Sequence, residues 1–272
     1  MVLAVEEIRR MRGGAQSHLM RCADDSYYVV KFQNNPQGTR VLVNELLGTR
    51  LAARLGLPVA GANVVDVRAE LISRTDDLAM QLGRGRETCV AGRQFGSRYP
   101  GDPAQTIVYD FLPDEQLREV ENLDSFVGML AFDKWTCNTN GRQAIFYRPP
   151  RPASGRAAEA PRLRAVMIDE GFCFNAGEWN FPDAPLRGIY NRQRVYESVR
   201  GMDAFDLWLE RIARIDEAVM DEAAGEVPPE WYGADQDALY RMLEQLHRRR
   251  KLVPELVLSA WKSSRNPFPN WT

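Results

Sequence analysis

The stretch FDKWTCNTNGRQAIFYR, residues 132–148, poses the question on which the fold turns. Its start continues an apolar helical face made by Phe126, Val127, Leu130 and Ala131. The chain then enters a polar knot, Asn138-Thr139-Asn140-Gly141-Arg142-Gln143, and leaves it as a short strand, Ala144 to Tyr147. Two readings fit. In one, the knot is a helix C-terminal turn in which Gly141 is left-handed, the amides satisfy loose carbonyls, and Asp133 is a buried ion-pair partner. In the other, amide and charged groups gather there because something bound is acted upon. The rest of the chain decides between them.

At 272 residues, with 44% hydrophobic and 26% charged residues, the chain is long enough for one large domain or two lobes around a cleft. A net charge of -2 gives no general attraction to nucleic acid or to anionic lipid. No apolar run approaches the ~20 residues of a membrane span. The opening MVLAVEEIRR has early acids and no apolar signal core, so a cytoplasmic protein is expected. Cys22, Cys89, Cys137 and Cys173 are scattered and only His18 and His247 accompany them, a poor set for zinc and a good one for reduced, buried thiols.

Upstream of the knot the pattern is strand-rich. VEEIRRM, a Gly-Gly turn, SHLMRC, an Asp-Asp turn and YYVVKF alternate as strands and turns. Leu42, Leu46, Leu47, Leu51 and Leu55 then follow helical spacing, closed by Gly56 and Pro58. GANVVDV and ELIS read as two more strands, followed by a Gly- and Arg-rich loop and a connector, TIVYDFLP. From Val120 onward the chain reads as helical, interrupted by a hairpin of QAIFYR, a loop at 149–161, and LRAVMID. HRRRK at 247–251 reads as a solvated helix face. The expectation is an α+β arrangement, residues 1–112 carrying an antiparallel sheet and 113–272 mainly helices.

Four features then stand in order. Gly13-Gly14-Ala15-Gln16-Ser17 is either a plain hairpin or a turn whose backbone N–H groups approach an anion. Lys31, set among apolar strand residues, is either solvated or paired with Glu45 of the following helix. The knot is third. Asp169, ending the apolar strand Ala165 to Ile168 before Gly171, is either the cap of the next turn or a Mg²⁺ ligand. Glycine turn, strand lysine, helix glutamate, polar loop and strand-end aspartate are the parts phosphoryl transfer needs, in that order.

On GGAQS, YYVVKF, NELLGTRLAARLGLPV, FDKWTCNTNGR and MIDEGFCF, the chain from Arg9 to Phe174 resembles the HipA-like branch of the protein-kinase-like superfamily, which is related to phosphatidylinositol 4-kinase-like proteins. The resemblance implies a two-lobed kinase-like fold that binds ATP and Mg²⁺ and transfers a phosphoryl group to a protein serine or threonine. It implies that Gly13, Gly14, Gln16 and Ser17 cover the nucleotide, that Lys31 contacts phosphates while paired with Glu45, and that Tyr109 to Leu112, Phe111 among them, flank adenine. Asp169 would hold the metal.

The knot departs from the family pattern. Asn140 stands where the family carries its catalytic aspartate and Ile145 where it carries a metal-binding asparagine. An amide orients a hydroxyl but does not take its proton as a carboxylate does. Asp133 and Gln143 are therefore candidates for catalysis beside Asn140, Arg142 for neutralising a phosphate, and Asn138, with Gln143, for an oxygen ligand to the metal. A protein substrate or regulatory partner is expected, with no nucleic acid or membrane. The alternative is a pseudokinase that works as a nucleotide-binding regulatory or interaction module.

Overall fold

The computed structural model describes residues 1–141, 144–149 and 161–272. The first part is a small barrel. Strands β1 (Val2–Arg10), β2 (His18–Cys22), β3 (Tyr27–Lys31), β4 (Ala62–Val67) and, after the hairpin β5 (Ala79–Leu82) and β6 (Gly85–Thr88), β7 (Gly92–Arg98) close in the order β1-β2-β3-β7-β4. Four seams are antiparallel. The fifth, β1 against β4, is parallel, so the expected antiparallel sheet is a mixed barrel. The crossover that makes this pair parallel runs through helix α1 (Arg40–Arg54).

Two local expectations are corrected. ELIS is not a strand: it forms the single-turn helix α2 (Ala69–Ser73), which lays Leu71 and Ile72 against the barrel core. The Gly- and Arg-rich loop contains β5, β6 and the barrel strand β7. β7 reads weakly as a strand because only Gln94, Phe95 and Gly96 of its seven residues are buried. Gly96 is there for space, since a Cβ would lie 2.4 Å from Val65 Cγ2 and 3.3 Å from Tyr28 Cβ.

Helix α1 carries Leu42, Leu46, Leu47 and Leu51 on its buried face and ends where expected. Gly56 takes φ +76, and the Leu57 N–H donates back to Ala52 O at 3.1 Å, closing the last turn. The chain then runs beside the later hairpin, because Met167 N–H donates to Pro58 O and Ala60 N–H to Met167 O. That hairpin is β9 (Ala144–Tyr147) and β10 (Arg164–Met167), flanked by the two-residue strand β8 (Val108–Tyr109) in the order β10-β9-β8.

The second part is helical: α3 (Asp114–Leu117), α4 (Ser125–Thr136), α5 (Asp206–Ala213), α6 (Glu217–Gly225), α7 (Pro229–Tyr232), α8 (Gln236–Arg249) and α9 (Val253–Trp261). Trp208 packs so closely on Gly128 of α4 that a Cβ there would meet the indole at 2.5 Å. Trp261 stacks on Trp271, and Trp231 is buried, its indole donating to Arg93 O. Arg249, expected on a solvated face, is buried instead. Its guanidinium pairs with both Asp183 oxygens, at 2.9 and 2.7 Å, and donates to Lys134 O and Trp135 O at the end of α4. A helix end buried in the core needs such donors, so the core claimed this arginine. Among the described residues no helix is long and apolar enough to cross a membrane.

Candidate functional site

Lys31 lies at the end of β3 and is only 8% exposed. Its ammonium bonds Glu45 of α1 and lies 3.0 Å from Asp169 Oδ1, so residues far apart in sequence meet at one cation. Burial alone would lower the lysine pKa. The Glu45 and Asp169 carboxylates outweigh it, and the ammonium titrates above its ordinary value. Glu45 is raised, because burial exceeds the pull of Lys31.

Asp169 follows β10 in a left-handed conformation, φ 63 and ψ 47, and its side chain stays 31% exposed. Asn140 Nδ2 donates to Asp169 O at 3.3 Å, and Thr139 N–H donates to Phe172 O at 3.2 Å, so the knot is tied to the segment after β10. Beneath it, Asn138 is spent on the loop itself. Its Nδ2 donates to Asp133 Oδ1 at 2.8 Å, and its Oδ1 accepts the Asn140 N–H at 2.9 Å. The left-handed residue that ends α4 is Cys137, at φ 56, rather than Gly141.

A cavity of about 270 Å³ opens over these groups. Gly13, Gly14, Ser17, Lys31, Glu45, Asn140 and Asp169 all line it, so half of the residues singled out from the sequence come together. Gly13 has φ +128, a turn geometry that side chains avoid. Five expected residues that the structure describes do not line the cavity. Gln16 turns away and pairs with the Gln81 backbone of β5, donating to O at 2.8 Å and accepting from N at 2.7 Å. Tyr109 and Phe111 face outward, since strand alternation gives the cavity Val108 and Asp110 instead, and Phe111 lies under the Arg192 guanidinium at 4.2 Å. Asp133 and Asn138, both buried, brace the loop from below. Arg142 and Gln143 fall outside the described residues.

The structure adds residues that pattern reading missed. Arg12, beside the Gly-Gly turn, lines the cavity and has no hydrogen bond or ion pair among the described residues. Val29, Ala60 and Ile168, with Ile145, form an apolar wall of the cavity. The glycine of Asp-Glu-Gly has a steric reason: a Cβ on Gly171 would lie 2.7 Å from both Glu45 Oε1 and Val41 Cγ1.

A solved structure of a Helicobacter pylori proinflammatory kinase, CtkA, superposes with a TM-score of 0.58 at 14% identity over 96% of each chain. The Golgi casein kinase gives 0.49 at 12% identity over 97% of this chain and 75% of that one. HipA of the Shewanella oneidensis toxin–antitoxin system, crystallised with HipB and operator DNA, gives 0.44 at 12% identity, over 93% of this chain and 68% of that one. No curated protein matches the sequence. The CtkA likeness, at this identity, is one of fold: α+β and kinase-like. Residues 4–144, from the barrel through the knot, match the HipA-like kinase family, and the chain is a member of that family.

Proposed function

We propose that the protein is an ATP-binding kinase that transfers a phosphoryl group to a serine or threonine hydroxyl of another protein, with residues 1–112 and 113–272 as its two lobes. The observation that carries this reading is the Lys31 ammonium held between Glu45 and Asp169 on the floor of a cavity roofed by a Gly-Gly turn. Fixed donors and cations at such a floor suit a triphosphate, and the apolar wall suits a nucleobase. Arg12 adds a second cation beside the turn.

The donor set fits a divalent cation of the Mg²⁺ kind. Asp169 offers one partly exposed carboxylate and Asn140 an amide oxygen, a set that phosphate and water oxygens complete. Such an ion, when bound, neutralises charge on the triphosphate. Asn140 orients an acceptor hydroxyl without taking its proton. Because phosphoryl transfer depends chiefly on positioning and charge stabilisation, this slows the reaction rather than forbids it.

Asn140 and Ile145 favour a second reading, a pseudokinase that binds nucleotide and acts through a regulatory protein partner. One experiment separates the readings. ATP is titrated in a thermal-shift assay with and without Mg²⁺, and γ-labelled ATP is offered in parallel. A melting shift that Lys31→Ala abolishes supports the nucleotide site. Label transfer that Asp169→Ala removes supports the kinase, whereas a shift without transfer supports the pseudokinase. An unchanged shift in Lys31→Ala overturns both.

A further inference from the structure

Asn44, fully buried on α1 next to Glu45, has no role in the reading above, yet its amide is the most heavily used on the helix. Its Nδ2 lies within hydrogen-bond distance of three carbonyls, Gly171 O at 2.9 Å, Cys173 O at 3.0 Å and Ala176 O at 2.7 Å, which share its two N–H donors. Its Oδ1 accepts from Trp179 Nε1 at 2.8 Å. The segment it holds is otherwise unusual. Phe174, Asn175 and Ala176 are consecutive left-handed residues, at φ 57, 59 and 57, and no regular helix or strand pairs their carbonyls.

The grip starts two residues after Asp169. Gly171 lies against two neighbours on one helix, its backbone N–H favouring the charged Glu45 carboxylate while Asn44 donates to its C=O. Arg40, one turn earlier on α1, donates to Gly177 O at 2.6 Å and stacks on Trp179 at 4.4 Å. Only a carboxamide serves at position 44: an acid has no donors for the carbonyls, and an alkyl group would orphan them and the indole.

We propose that Asn44 is a positioning residue that fixes the segment after Asp169 to α1, and so keeps the Asp169 carboxylate aimed at a nucleotide-bound divalent cation. This rests on the nucleotide reading above. An outer residue of this kind acts through the ligand it orients, and losing it weakens metal affinity by roughly ten- to a hundredfold.

The test measures ATP dissociation constants by calorimetry with and without Mg²⁺ for the wild type, Asn44→Ala and Leu51→Val. The last is a buried change on the same helix that leaves the segment's bonds intact. In the wild type Mg²⁺ tightens ATP binding. In Asn44→Ala the metal-free affinity stays within about threefold while at least about tenfold of the metal-dependent gain disappears. Leu51→Val keeps the gain. If Asn44→Ala does not fold, Arg40→Gln is measured instead and shows a partial loss of the gain. A gain that survives in the variant, or affinities that fall equally with and without metal, overturns the positioning role alone. A wild type that binds no ATP overturns the nucleotide reading and this inference with it.

Discussion

Glu170, one residue after Asp169, is 2% exposed and packs on Gly48 of α1, where a Cβ would come within 2.7 Å of its own Cβ. Its Oε2 accepts from the Thr49 hydroxyl at 3.3 Å, and its Oε1 has no partner among the described residues. Burial first, and the Glu45 carboxylate second, push its pKa well above the ordinary 4.5. Above that ordinary value the unfolded chain releases a proton that the folded chain keeps, so this group makes stability fall as pH rises. Glu170→Gln removes the titration. Melting curves of variant and wild type converge near pH ~5, and by pH ~8 the variant is higher by about 2–4 °C, the effect of roughly 1 kcal/mol in a chain of this size. A gap that is constant with pH would refute the assignment. Arg12→Ala tests the cation beside the Gly-Gly turn: ATP binding weakens about tenfold more than ADP binding, the scale of a charged contact to the terminal phosphate. The meeting of Lys31, Glu45 and Asp169 was readable in sequence because each role demands its residue type and the chain order constrains the set. Arg12 and Asn44 were not, since nothing local marks an arginine as facing a cavity or an amide as gripping carbonyls about 130 residues away.

The elements show the same division. Helix α1 was legible end to end because leucines at helical spacing and a Gly-x-Pro stop agree. α2 was not, since a single turn is too short to show a period and Leu71 with Ile72 suits either state. β7 was hidden by arginine and glycine, and its place comes from pairing with β3 and β4 on both edges. Arg249 is the clearest case of tertiary demand overriding local appearance. A basic run late in a helix is normally wet, but here one member donates to two carbonyls in the last turn of α4. Arg249→Ala leaves two α4 carbonyls and Asp183 without their donor. It should cost about 1–3 kcal/mol, the penalty of buried carbonyls left without a donor, since Asp183 is itself partly exposed, and lower the melting temperature by roughly 2–12 °C. Arg249→Lys recovers only part of this, because one ammonium cannot serve two carboxylate oxygens and two carbonyls in a planar fork.

At the scale of the molecule, α1 belongs to two structures at once. It forms the barrel's crossover, yet Leu42, Leu46, Leu47 and Leu51 sit in the same apolar core as Phe126, Leu130 and Trp135 of α4. A second, smaller core fills the barrel around Met20, Val30, Phe32 and Met80. The site draws on both parts, with Lys31 supplied by the barrel, Glu45 by the shared helix and Asp169 by the turn after the later hairpin. Because the leucine face of α1 is buried in the core it shares with α4, the proposed first lobe, residues 1–112, is not expected to fold by itself. A fragment of residues 1–112 uncovers the leucine face of α1, at a loss of about 1.5–3 kcal/mol for each buried leucine re-exposed, more than a small barrel can bear. Calorimetry of the whole chain should then show one cooperative transition whose midpoint rises as a unit with bound nucleotide, and the fragment should lack a sharp melt. Two resolved transitions, with only the earlier one shifted by ATP, would mean that the barrel carries the nucleotide by itself, and the three-way meeting at Lys31 would lose its functional claim.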